Sequence, residues 1–221
     1  MMPQADVERA RFNMVEQQIR PWDVLDQRVL DLLMRVHREA FVPAASRALA
    51  FADLEIPLGH GEVMLAPKIE ARILQALNVQ PTDRVLEVGT GSGYFTALLA
   101  SLAAQVYTVD LHADFTASAQ EKLRNSGIAN VTAETGDAAR GWDKHGACDV
   151  VVLTGSVPVL PASFQNSLQP GGRLFAVVGE APLMVARLIT CPARGVYVTT
   201  DLFETCLPPL RNAQQPDRFV F

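Results

Sequence analysis

Runs of basic residues are missing from this 221-residue chain, in which 19 lysines and arginines stand against 24 aspartates and glutamates for a net charge of −5. The cations are scattered singly, as solvated surface charges usually are. A sequence-independent grip on phosphate backbones needs clustered cations, so neither RNA nor DNA is an expected partner. Long apolar runs are missing too. None reaches the roughly 18 residues of a membrane span, and "MMPQADVERARF" lacks the basic-then-apolar pattern of an export signal. Cysteine is scarce: Cys148, Cys191 and Cys206 are odd in number and far apart, with no C-x-x-C. Reduced thiols in a cytoplasm are the expectation. The four histidines, His37, His60, His112 and His145, have no metal-ligand spacing. Each is expected at the surface or at a cap, and no metal site and no His/Asp or Cys/His catalytic pair is visible.

What is present is a globular composition, 49% apolar and 19% charged, long enough for one α/β domain with a small extension. Residues 1–80 read as a helical extension followed by a loop. Asp26 can cap a helix that carries Val29, Leu32, Leu33 and Val36 on one face. After the loop "EIPLGHGEVMLAP", Pro67 can open a second helix with Ile69, Ile73 and Leu77 on one side. Residues 81–221 alternate β-rich runs with helical ones: "RVLEVG", "QVYTVD", "NVTAETGD", "CDVVVLTG" and "GRLFAVVG" as strands, and "DFTASAQEKLRNSG" as a helix closed by Gly127. This alternation implies βαβ units and a parallel sheet covered on both faces. "LMVARLITC" and "GVYVTTDLFETC", separated by "PARG", read as an antiparallel hairpin. No repeat or linker interrupts the chain, which reads as a single domain.

The glycine-rich stretch "VLEVGTGSGYFTALLA" carries the chemistry. In an open α/β sheet, ligands bind beyond the carboxyl ends of the strands at the switch point, where Gly89, Gly91 and Gly93 would fall. The dinucleotide fingerprint needs glycine or alanine at its sixth position, which is Tyr94 here, and the phosphate loop needs a lysine that does not follow. What remains is an acid-x-G-x-G-x-G pattern led by Glu87. That carboxylate would repel a pyrophosphate and suit a ligand carrying an ammonium and a sulfonium, as S-adenosylmethionine does. Asp110 ends the second strand, where a carboxylate commonly accepts from ribose hydroxyls. Asp137, in "TGDAARG", follows the third strand and can reach an adenine edge.

Across roughly Met14 to Leu210 the chain resembles the protein-L-isoaspartate O-methyltransferase family. "MVEQQI", "VLDLLMRVHREAFVP" and "AFADLEIPLGHGEVMLAP" look like its helical extension and substrate loop. "VLEVGTGSGYFTALLA", "GDAARGW", "DVVVLTGSVPVLP" and "LQPGGRLFAVVG" look like its core. The resemblance implies a Rossmann-like class I methyltransferase: an α/β, doubly wound, mostly parallel seven-stranded sheet with an N-terminal helical extension and a C-terminal antiparallel hairpin. It implies S-adenosylmethionine as cofactor, methylation of the α-carboxyl of L-isoaspartyl residues in damaged proteins or peptides, and closure of the ester to a succinimide. The implied cofactor contacts come from the loop and the helix after it, at Glu62, Val63, Met64, Leu65 and Glu70. Others come from the glycine turn, at Glu87, Gly89, Thr90, Gly91 and Gly93. The rest follow the next two strands, at Asp110, Leu111, Asp137 and Ala138.

The substrate half departs from the family pattern. Leu65 stands where the family has the serine linked to activity, so no residue is assigned a catalytic role. Glu62 replaces the usual glutamine, and Glu70 a histidine or valine. Asp110 for glutamate and Ala138 for glycine are milder changes. Three readings stay open: an isoaspartyl methyltransferase with a variant loop, a methyltransferase of the same fold acting on another nucleophile, and a cofactor-binding protein without turnover.

Overall fold

The computed structural model describes residues 3–216. The extension begins with α1 (Gln4–Asn13), passes through a π-helical turn at Met14–Ile19 and continues into α2 (Gln27–Arg35). Asp26 caps α2 as the sequence suggests, its carboxylate accepting from the backbone N–H of Arg28. Val29, Leu32 and Leu33 turn inward, whereas Val36 falls just past the helix end. Pro67 opens α3 (Pro67–Leu77), where its missing N–H has no helical partner to lose.

Between α2 and α3 the sequence suggests an irregular loop, and the structure corrects this. β1 (Ile56–Gly59) and β2 (Glu62–Met64) form an antiparallel ribbon joined by His60 and Gly61. Both turn residues have positive φ, 54° and 81°, the geometry that matches a tight turn to strand twist. The "GHG" stretch is therefore a hairpin tip.

The main sheet contains β3 (Arg84–Val88), β4 (Gln105–Asp110), β5 (Val131–Thr135), β6 (Cys148–Val157), β7 (Leu168–Glu180), β8 (Leu183–Ala193) and β9 (Val196–Thr205). Their spatial order is β5-β4-β3-β6-β7-β8-β9. Strands β3 to β7 pair in parallel, and β8 and β9 add an antiparallel meander. The sheet is thus doubly wound and mostly parallel, ending in the expected hairpin. Helix α4 (Tyr94–Ala100) follows β3, α5 (Ala113–Asn125) follows β4, and the short α6 (Ala162–Asn166) precedes β7. Gly127 closes the α5 end at φ 73°, with the N–H of Ile128 reaching back to Leu123.

Strand alternation divides the interior. Val85, Val106, Val150, Val152, Phe175 and Val177 pack on one face with Leu32, Leu33, Ile73, Leu77 and Leu98. Leu86, Val88, Val151, Leu153, Leu174 and Ala176 pack on the other with Phe164. The helical extension therefore shares its core with one sheet face. Among the described residues, no helix is long and apolar enough to cross a membrane.

Candidate functional site

The chain winds outward from β3 through β4 to β5 and returns to β6 on the other side of β3. That reversal opens a crevice at the strands' carboxyl ends. Gly89, Gly91 and Gly93 follow β3 with φ of 102°, 49° and 82°, conformations that suit glycine. A Cβ on Gly89 would lie 2.1 Å from the Thr154 hydroxyl, which itself reaches the carbonyls of Val88 and Gly89. One on Gly91 would lie 3.2 Å from Leu58 of β1. At Gly89 and Gly91 the turn therefore presents bare backbone to the crevice.

Carboxylates fix this turn. Asp110, nearly buried at the end of β4, accepts from the N–H of Gly91 at 2.8 Å and of His112 at 2.9 Å, one to each oxygen. Each oxygen keeps capacity for another donor. Burial holds its pKa above the usual carboxylate range despite these two bonds. Asp137 is exposed, accepts from Ala139 N–H at 3.1 Å and from the Asn212 amide at 2.8 Å, and so ties the loop after β5 to the C-terminal segment.

Two expected residues lie behind the wall, because neither touches the cleft surface. Glu87 shares a strand face with Val85, so its side chain points towards α4. There one oxygen accepts from Thr96 at 2.5 Å and Thr108 at 2.6 Å, and the Thr108 hydroxyl also meets that of Thr90 on the cleft wall. The other oxygen is buried with no hydrogen-bond partner among the described residues. Burial pushes this carboxyl up to about 8, against the lowering effect of the two threonines. Gly93 serves packing: a Cβ there would sit 2.8 Å from that of Ala119 on α5.

The opposite wall comes from distant chain. Glu62, Val63, Met64 and Leu65 line the cleft, and Met64 and Leu65 are also buried in the core. Beneath them lies an ion pair between Arg38 and Glu70, both essentially inaccessible. Arg38 also donates to the carbonyls of Leu65 at 2.7 Å and Ala50 at 3.0 Å, and packs 5.0 Å from the Tyr94 ring. Burial pushes Glu70 up to about 7 against the pull of Arg38. At the rim, Arg211 donates to Glu62 and to the His60 carbonyl, each at 2.8 Å. Pro209 forms a β-bridge with Ser156, which lays Pro208–Arg211 along the cleft.

The resulting cleft, part of it open to solvent, has a volume of about 900 Å³ and takes in Glu62, Val63, Met64, Leu65, Glu70, Gly89, Thr90, Gly91, Asp110, Leu111, Asp137 and Ala138. Sequence reasoning missed Phe95, His112, Phe115, Thr154 and the segment from Pro208 to Arg211. Helical spacing from the glycine turn could have suggested Phe95. No local signal marks the C-terminal segment. Glu62, Glu70, Asp110 and Asp137 line the cleft, whereas Arg211, its one guanidinium among the described residues, is already paired with Glu62.

A doubly wound sheet that meets its ligand with acids and bare backbone, and with no phosphate-binding lysine, has the architecture of the Rossmann-like methyltransferases. A solved structure described as a protein-L-isoaspartate O-methyltransferase from Plasmodium falciparum, in complex with S-adenosyl-L-homocysteine, superposes with a TM-score of 0.76 at 19% identity, covering 92% of this chain and 97% of that one. In sequence, the protein-L-isoaspartate O-methyltransferase of Koribacter versatilis is 38% identical over 204 residues, 92% of this chain and 91% of its own. That of Methanoculleus marisnigri is 37% identical over 203 residues, 91% of each chain. The chain belongs to the protein-L-isoaspartate (D-aspartate) O-methyltransferase family, whose profile matches residues 9–212.

Proposed function

We propose that the cleft holds S-adenosylmethionine and that the protein methylates the α-carboxyl of L-isoaspartyl residues in proteins or peptides. The observation that carries this reading is the meeting of the glycine turn, Asp110 and Asp137 with the 62–65 segment in one cleft of a chain in this family. The residues fit the cofactor. Asp110 has capacity for two ribose hydroxyls, Asp137 stands where an adenine amine would reach, and Leu111 offers an exposed apolar surface. Glu87, buried behind the glycine turn, braces it through the hydroxyls of Thr108 and Thr90. An acidic lining also disfavours nucleic acid as the methyl acceptor. The core shared by the described residues supports reading the chain as a single domain, and three unpaired cysteines suit the cytoplasm.

The cofactor supplies an electrophilic methyl group on sulfur. An acceptor carboxylate is already ionised at neutral pH, so this chain need move no proton. Its residues align the acceptor oxygen and exclude water. Gly89 and Gly91 let the ligand approach backbone. Val63, Met64 and Leu65 line the cleft and would shield the bound group from water, and Arg38 fixes the carbonyl of Leu65 from below.

Methyl transfer to an isoaspartyl peptide by the wild type and by Leu65→Ser tests this. The wild type is expected to turn over slowly. The added hydroxyl should raise the rate by roughly 10- to 1,000-fold, the worth of a positioning contact, at unchanged cofactor affinity. Because Leu65 is 6% exposed and packed in the core, the same change should cost about 2–3 kcal/mol of stability. Cofactor binding with no transfer by either form would move the acceptor to another nucleophile, the second reading that Leu65 favours.

A further inference from the structure

We propose that His60, His112 and Asp114 form a binding site for a divalent transition metal such as zinc, pinning the β1–β2 turn to the start of α5 across the cleft mouth. The residues come from stretches more than 50 positions apart, which is why no spacing in the sequence reveals them. One ligand atom from each lies within 4.8 Å of the others. Two imidazoles and a carboxylate form a donor set that zinc takes, with the remaining position open to water.

The surroundings hold the three together. His60 Nε2 lies 3.0 Å from Asp114 Oδ2. The rings of His60 and His112 stack with centroids 4.1 Å apart and planes 7° from parallel. Phe115 sets its edge against both rings at 5.4 Å, an apolar backing that restricts their orientation. A His60–Asp114 pair alone would account for two of these side chains. It leaves His112 Nε2 buried with no hydrogen-bond partner among the described residues, a cost that folding normally avoids. A bound cation removes that cost, and it satisfies both rings without placing two imidazolium charges face to face.

Tetrahedral zinc, with ligand distances near 2.0–2.2 Å, holds its donor atoms about 3.3 Å apart. The cluster therefore has to contract, and the rings have to tilt so that their lone pairs converge. His60 and Asp114 are both exposed, so side-chain rotation suffices and the backbone stays in place. Because the backbone N–H of His112 donates to Asp110, which also holds Gly91, the ion would join the hairpin tip to the cleft floor. Slower exchange of the cleft's ligand follows, a consequence that rests on the cofactor reading. The metal site itself does not.

Titrating untagged, full-length protein with zinc in a calorimeter tests the site, with the visible spectrum of cobalt(II) as a second readout. One saturable equivalent with a tetrahedral cobalt spectrum is expected. His60→Ala and His112→Ala should each weaken binding by at least about tenfold while circular dichroism and melting show an intact fold. His145→Ala and Cys206→Ser should leave binding unchanged. No saturable binding, or binding that survives both cluster variants, overturns the proposal. Stopped-flow release of S-adenosylhomocysteine with and without zinc then tests closure. Slower release only in the wild type supports it, and an equal rate overturns closure while the site stands. Failure to bind S-adenosylhomocysteine at all would refute the cofactor reading and leave the metal titration intact.

Discussion

The two walls of the cleft are made in different ways. One is the turn after β3 with the ends of β4 and β5, whose bonds run between neighbouring strands: Asp110 to Gly91, Thr154 to Gly89, Thr108 to Glu87. The other joins the β1–β2 hairpin to Pro208–Arg211, segments about 150 residues apart, and its rim is closed by exposed pairs such as Arg211 with Glu62. Its foot, Arg38 with Glu70, is buried beneath Met64 and Leu65, which pack into the core. Exposed ion pairs contribute little and break easily. The grip on the ligand is thus built into the sheet, while the cover is fastened by contacts weak enough to release. A site that must bind tightly and still exchange cofactor and a protein substrate has use for both.

The buried foot should be the most sensitive point. Arg38→Ala strands Glu70 and frees the Leu65 carbonyl, so a loss of about 3–5 kcal/mol is expected in denaturant unfolding. Adding Glu70→Leu should recover much of it. Little loss in the single variant would mean that the cover does not depend on this pair. On the other wall, Asp110→Ala should weaken S-adenosylmethionine binding by roughly 1–3 kcal/mol in calorimetry, with a smaller change in stability. Unchanged affinity would remove the floor from the site.

The smallest effect concerns Glu87, whose carboxyl is raised from 4.5 to about 8. Between those values the folded protein holds a proton that the unfolded chain releases, so stability contributed by this group falls as pH rises through the window. Glu87→Gln should flatten the decline in melting temperature as pH rises from 4.5 to about 8. An unchanged slope would mean that Glu87 is already ionised in the folded state.

The difference between the walls also explains what could be read from the sequence. Asp26, Pro67 and Gly127 announce helix ends because a cap acts within a few residues. Asp110 is legible because the end of β4 must fall beside the glycine turn once β3 and β4 pair in parallel. The position of Glu87 behind the cleft wall is legible in the alternation of Val85, Leu86, Glu87 and Val88, since residue 87 points with residue 85. Arg38 in "VHREAF" looks like a surface charge, and only the fold brings Glu70 to it. The C-terminal segment, and the meeting of His60 with His112, depend on tertiary contacts that no spacing encodes. Even "GHG" contained its hairpin, which needs strand partners on both sides to be recognised.

The β-bridge between Ser156 and Pro209 carries a consequence for synthesis. Chains leave the ribosome amino end first at roughly 5–20 residues per second, and all seven strands of the main sheet are encoded by residue 205. The Pro208–Arg211 part of the far wall is not. Until Pro208–Arg211 emerge and dock beside β6, the nascent protein can hold a complete sheet with a trough open on one side. Competence for its ligand is thus acquired only once Pro208–Arg211 have docked, after the fold that supports it.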